Sequence, residues 1–363
     1  MKYNLFIVGL LFSFCLLFGC GEETMYREAD IESIAFADSD FVNYVVGETE
    51  VIAFVRKNTN MTNLVPIITL SPKATCVPAS GIAQNFTSSV KYTVTSEDGN
   101  YTKSYDVIVQ EIDTILIYNF ENWGTAGGVW NYPALKDITW QSANPGIAMA
   151  LGQRDVYPTR PTADGEGLGG GRAALMETLR GKSVFGRNIA IFSGSFFRGK
   201  FKLNSGNVLL STKFGQIHPK DCGKPKTFSG YYKYTPGPYF IQPKGADGVD
   251  TLFNEVDEFS IYASLYKVSK GIKGVEESLD GTNILDINSG VIAKAEMQEA
   301  RPQPNFTKFS LDFAYTEDMN YSLYNYKLAL VFASSKDGDN YRGAPGSTLV
   351  VDSVVVECVP FAE

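Results

Sequence analysis

Glu258-Phe-Ser-Ile-Tyr-Ala-Ser-Leu-Tyr266 alternates between apolar and polar-aromatic side chains without a break. In an extended chain successive side chains point to opposite faces. Phe259, Ile261, Ala263 and Leu265 therefore share one face, and Glu258, Ser260, Tyr262, Ser264 and Tyr266 share the other. A helix would scatter both sets around its circumference, so the stretch is a strand with one face in a core. The same period recurs over 115–120, 188–192, 229–234, 308–315, 327–332 and 348–357. Upstream, residues 31–112 break into shorter runs. Val90-Lys-Tyr-Thr-Val-Thr95 and Ser104-Tyr-Asp-Val-Ile-Val109 are joined across Glu97-Asp-Gly-Asn100, a hairpin signal. The expectation is all-β: an N-terminal immunoglobulin-like β-sandwich over 31–112, then a larger jelly-roll β-sandwich over 115–358.

Composition agrees with this class. The chain has 363 residues, enough for two domains, and is 44% hydrophobic and 20% charged, which excludes disorder. Its 24 Phe, 20 Tyr and 34 Gly suit strands and tight turns. A net charge of -8 argues against nucleic acid as a partner, since phosphate neutralisation needs clustered cations. A single His, His218, beside Pro219 and Lys220, removes most His-based catalysis and reads as structural. Asp164-Gly-Glu-Gly-Leu-Gly-Gly-Gly171 contains a G-x-G-x-x-G spacing. No strand leads into it and no crossover helix follows, so it is read as a loop and no nucleotide is expected.

The first 19 residues read as a signal peptide. Lys2 is its positive end, and Leu5 to Phe18 is an apolar run shorter than the roughly 20 residues of a spanning helix. Leu17-Phe-Gly-Cys20 resembles the lipobox of bacterial lipoproteins. The resemblance implies a diacylglycerol on Cys20, which would anchor the chain to a membrane. Gly21-Glu-Glu23 resembles the surface-export signal of Bacteroidetes-type lipoproteins, implying an outer-membrane, cell-surface protein, with 20–30 as a tether. Cys76, Cys222 and Cys358 then remain, an odd number that cannot all pair. They read as unpaired thiols, with Cys222–Cys358 the one disulfide left open.

Leu70-Ser-Pro-Lys-Ala-Thr-Cys-Val-Pro-Ala-Ser-Gly81 and Tyr92-Thr-Val-Thr-Ser-Glu-Asp-Gly99 resemble the small cadherin-like modules of such lipoproteins, which implies a spacer. Further on come Tyr118-Asn-Phe-Glu-Asn-Trp123, Trp140-Gln-Ser-Ala-Asn-Pro-Gly146, Ser193-Gly-Ser-Phe-Phe-Arg-Gly-Lys-Phe201, Gly230-Tyr-Tyr-Lys-Tyr-Thr-Pro-Gly237 and Ala333-Ser-Ser-Lys-Asp-Gly-Asp-Asn-Tyr341. In that order they resemble the family called the putative carbohydrate metabolism domain. The resemblance implies a jelly roll related to carbohydrate-binding modules and sugar-active enzymes, and it carries no catalytic motif.

Sugar rings stack on aromatic faces and need a few polar groups to hold their hydroxyls. Trp130, in a Gly-rich segment, and Tyr262, Tyr266 and Glu258, on the polar face of the opening strand, are the candidate carbohydrate-binding residues. A glycoside hydrolase would need two carboxylates a fixed distance apart. Asp257, Glu258, Glu166 and Glu177 are nominated only by their neighbours, and the catalytic set stays unassigned. Asp337-Gly-Asp-Asn340 reads as a turn. Jelly-roll carbohydrate-binding modules often open with a Phe-Glu segment and close with Val-Asp-x-Val, whose carboxylates help hold a Ca²⁺ away from the sugar site. Glu121 and Asp352 match those positions, which implies a structural Ca²⁺. Independently, Asp352 interrupts an apolar strand, where a carboxylate is costly unless paired or bound to a cation. The expected role is glycan binding at the envelope, with a glycosidase-like enzyme and an adhesive surface component as alternatives.

Overall fold

The computed structural model describes residues 25–37, 40–184, 188–204, 206–245 and 248–361. The leader and Cys20 lie outside them. The fold is all-β, in two sandwiches.

In the N-terminal sandwich, Ile31–Phe36 and Pro66–Leu70 form a two-stranded sheet. It faces a five-stranded sheet ordered Phe41–Val46, Glu50–Arg56, Thr102–Ile112, Val90–Thr95, Thr75–Val77. Ile31, Ile34 and Phe36 from one layer meet Val51, Val55, Tyr92 and Val107 from the other. The Asp-Gly hairpin forms where its signal lies, with Gly99 at φ +70°. The pairing of Glu50–Arg56 with Thr102–Ile112 is parallel, a long-range contact that alternation alone does not specify.

The C-terminal jelly roll packs a six-stranded sheet against an eight-stranded one. The first centres on Lys224–Thr235 and Thr348–Val359, and Ile115–Tyr118 joins its edge by pairing with the second of these. The other runs Trp140–Ser142, Ser195–Phe201, Asn325–Ala333, Ser260–Val268, Val291–Glu296, Ala314–Tyr315. Aromatic rings fill the space between the sheets. Trp140 stacks on Phe196 at 4.8 Å and on Phe332 at 5.9 Å, and Trp123 stacks on Phe196 at 5.5 Å. Two of the three Trp are thus core. Ile261, Ala263 and Leu265 join that core, as the alternation predicts.

Two helices are absent from the sequence reading, Asn144–Leu151 and Ile272–Glu276. Both are at most eight residues long, too short to show a convincing period. No helix among the described residues is long and apolar enough to cross a membrane. Cys76, Cys222 and Cys358 are free thiols.

Candidate functional site

The outer face of the eight-stranded sheet carries the site. Cross-strand partners in an antiparallel sheet share a face. Tyr262 pairs with Val331 on one side and Glu296 on the other, and Val331 pairs in turn with Phe197. Phe197, Val331, Tyr262 and Glu296 therefore form one row across four strands. A shorter row, Ser195–Ala333–Ser260, lies beside it.

This face is divided. Over one half the N-terminal sandwich docks, setting Ile52 and Phe54 against Tyr266, Ile217 and Val268. These two residues project from the opposite face of the strand whose Val51, Ala53 and Val55 fill the small core. The small sandwich is therefore packed on the jelly roll, not held away from it as a bare spacer. Over the other half the sheet floors a cavity of about 410 Å³, within the usual range of small-ligand pockets. Ile147 and Met149 of the short helix, together with Leu203 and Leu209, wall it with aliphatic surface. Thr282, Asn283 and Asp286 approach from one loop, and Lys336, Asp339 and Tyr341 from another.

The electrostatics centre on Tyr262. Burial raises its phenol above the ordinary range, and the carboxylates of Asp339 and Glu296 raise it further. The hydroxyl thus lies within the field of both acids and stays protonated, able to donate. Asp339 is exposed and borders the cavity, and the protein packed around its carboxyl pushes its pKa up to about 6. An apolar wall, an aromatic floor and converging hydroxyl, carboxylate and ammonium groups can enclose a polyhydroxy ligand.

The four predicted sugar contacts separate. Tyr262 is 8% exposed and lines the cavity. Tyr266 does not: it is 1% exposed, donates its hydroxyl to the Phe214 carbonyl, and is covered by the docked sandwich. Strand alternation put it on the correct face, but another domain occupies that part of the face. Glu258 precedes the strand and pairs with Lys336 at 3.3 Å, so it reaches the rim through that lysine. Trp130 is 39% exposed near the tip of the hairpin between Trp123–Gly127 and Asn131–Leu135, away from the cavity lining. Asp257 is buried and accepts hydrogen bonds from Ser335 Oγ, Ala344 N and Ser347 Oγ, a structural anchor. Glu177 pairs with Arg160. His218 is buried, its Nε2 donates to the Gly223 carbonyl at 2.8 Å, and burial lowers its pKa to about 4.

Asp339, Glu296 and Phe197 were not identified from sequence. Asp339 sits in the segment read as a turn, and that turn forms, as Gly338–Asn340. That its carboxylate faces a cavity follows from packing alone.

Glu121 and Asp352 are brought together at the other sheet. Asp352 is 1% exposed, and burial raises its pKa, with Glu121 adding to the rise. The Gly-rich loop closes over both: Leu168 N donates to Asp352 Oδ2 and Arg172 N to Glu121 Oε2, each at 2.8 Å. A Cβ on Gly171 would stand 2.0 Å from Glu121 Oε1, so a larger residue there would make this carboxylate move aside. Two carboxylates would supply only part of a Ca²⁺ shell. Among the described residues no third His, Cys, Asp or Glu completes a cluster, so carbonyls and water would supply the remaining ligands.

Residues 119–357 match the family described as "Putative carbohydrate metabolism domain", and residues 33–109 match "SGBP, N-terminal". The crystal structure of a putative glycoside hydrolase from Bacteroides thetaiotaomicron is similar at 30% identity, covering 94% of this chain and 99% of that one, with a TM-score of 0.59. A second putative glycoside hydrolase, from Bacteroides vulgatus, is 28% identical over 67% of this chain and 98% of its own, with a TM-score of 0.57. No curated protein matches. With the first of these families spanning most of the chain, and its strands building the jelly roll just described, the protein belongs to the putative carbohydrate metabolism domain family.

Proposed function

We propose that this protein binds a glycan in the cavity on the outer face of its eight-stranded sheet. The row Phe197–Val331–Tyr262–Glu296 carries the reading, because it joins an aromatic floor to a carboxylate at one level of the sheet. The family it belongs to, and its match to the N-terminal domain of surface glycan-binding proteins, support a glycan-related role. Tyr262 offers ring surface and a protonated hydroxyl, and Asp339, Glu296 and Lys336 offer partners for sugar hydroxyls.

A second reading, a glycoside hydrolase, is favoured by one observation. Asp339 has its pKa pushed up to about 6, the condition of a general acid near neutral pH. Glu296 would then be the second carboxylate. Glycan-array binding by residues 21–363, with a reducing-sugar assay on the same samples, separates the readings. Binding without sugar release is expected, and Tyr262→Ala should weaken it about tenfold, as losing an aromatic contact worth roughly 1.4 kcal/mol does. Release that disappears in Asp339→Asn and Glu296→Gln would make the protein an enzyme. Binding unchanged in Tyr262→Ala would put the glycan elsewhere.

Two further proposals complete this reading. Cys20 carries a lipid that holds the chain on the outer membrane, at the cell surface. Glu121 and Asp352 hold a Ca²⁺ that pins the Gly-rich loop, away from the glycan.

A further inference from the structure

A second concavity, a groove of about 700 Å³, runs between the two sandwiches, and Arg198 lines it. Arg198 follows Phe196 and Phe197 on the strand Ser195–Phe201. It shares Phe196's inward face and pairs across the sheet with Trp140. The side chain thus lies at the end of the jelly-roll core, where that core meets the groove. It is only 8% exposed, and its Nε and Nη1 have no hydrogen-bond partner. Trp140 Nε1, a donor on the neighbouring strand, is likewise unsatisfied. The guanidinium rests over the Tyr118 ring at 5.8 Å.

A buried cation without a counter-charge is strongly unfavourable, and so such groups are ordinarily paired. Four acids and three cations line this groove, and among the described residues none of the acids forms an ion pair with Arg198. Asp113 pairs with Lys57 at 3.0 Å, Asp137 accepts from Thr139 N and Oγ1, Glu111 from Asn58 N, and Glu121 from Arg172 N. Arg198 and the exposed Lys136 are the lining cations that form no ion pair among the described residues. A planar guanidinium with free N–H groups matches the geometry of an oxyanion. Under it lies the Tyr118 ring, and Ile115 and Ile117, on the opposite face of the same strand, add exposed apolar surface elsewhere along the groove.

We infer that this groove is a second binding site, in which Arg198, assisted by Lys136, takes the carboxylate or sulfate group of an acidic saccharide. The saccharide part of the inference rests on the glycan reading above; the pairing of Arg198 with an oxyanion does not.

Calorimetric titration of residues 21–363 with sodium glucuronate, inorganic sulfate and glucose tests both parts. Glucuronate is expected to bind, with affinity falling at least tenfold in Arg198→Gln, severalfold in Lys136→Ala, and not at all in Tyr262→Ala. Sulfate binding as tightly as glucuronate, with the same dependence on Arg198, would leave an oxyanion site and remove the saccharide. A residue kept for a ligand, at a cost to the free protein, should also be dispensable for folding. Arg198→Gln should therefore melt no lower than wild type without ligand, and glucuronate should raise the melting temperature of wild type only. Glucuronate affinity unchanged in Lys136→Ala, or lost in Tyr262→Ala, would overturn the site, and Lys136→Ala decides the matter should Arg198→Gln not fold. Failure of every neutral glycan on the array would remove the cavity reading and leave Arg198-dependent binding untouched.

Discussion

Asp339, an exposed residue, borders the cavity on the one-turn segment Gly338–Asn340, where the protein packed against its carboxyl disfavours the charged form. Its pKa in the folded chain, about 6, lies above the ordinary 3.8. Between those values the folded state holds a proton that the unfolded state has released. Stability therefore falls as pH rises through that window, and the penalty is complete above about pH 6. Asp339→Asn removes the penalty. Relative to wild type, the variant should melt higher at pH 7 than it does near pH 3.5, where both side chains are neutral. An equal difference at the two pH values would show that the carboxyl does not titrate in this window. A group that costs stability while facing a cavity is the pattern expected of function. Tyr266, by contrast, is plain core: truncation to Ala removes a buried ring, a change that costs about 3–5 kcal/mol where aromatic side chains are deleted from cores.

Two terminal strands and one loop make the unit that matters at the next scale. Ile115–Tyr118 pairs with Thr348–Val359, which brings Glu121, just beyond the first, to Asp352, within the second. Phe120 and Ser353, each adjacent to one of these acids, adopt φ +50°, a conformation that non-glycine residues rarely take. The backbone is bent at both carboxylates, and the segment 164–171, read from sequence as a loop, holds them through Leu168 N and through Arg172 N just past its end. If Ca²⁺ completes this unit, EDTA should lower the melting temperature of wild type, added Ca²⁺ should restore it, and Asp352→Asn should respond to neither. Melting of wild type that is indifferent to EDTA would end the metal proposal. The Glu258–Tyr266 strand shows the same division between local and distant causes. Its two faces were legible in nine residues, whereas the partners that make a row with Tyr262 come from strands at 197, 331 and 296.

At the scale of the molecule, the small sandwich lies against the jelly roll through Ile52 and Phe54, and Glu50 pairs with Lys200 across the junction. This docking covers half of a sheet face, leaves the other half as a cavity, and creates the groove that Arg198 lines. The lipid proposed on Cys20 would tie the whole to a membrane, since two or more acyl chains anchor stably where one does not. Cys20→Ser should move the protein from the membrane to the soluble fraction. A variant still in the membrane fraction, with the mass of the wild type, would show that Cys20 is not the anchor.

The sequence by itself determined the β class, the two faces of the Glu258–Tyr266 strand and the Asp-Gly hairpin. Each rests on local periodicity, turn chemistry or a motif carried in a few consecutive residues. Only the tertiary structure decided that Tyr262 is open to a cavity while Tyr266, four residues on along the same face, is sealed. It also decided that Asp339, inside an ordinary turn, lines the same cavity as Tyr262, and that Nε and Nη1 of Arg198, on an inward face, are left without hydrogen-bond partners. These follow from register between distant strands and from the docking of one sandwich on the other. Such contacts are fixed by the packing of surfaces far apart in the chain, which no window of neighbouring residues encodes.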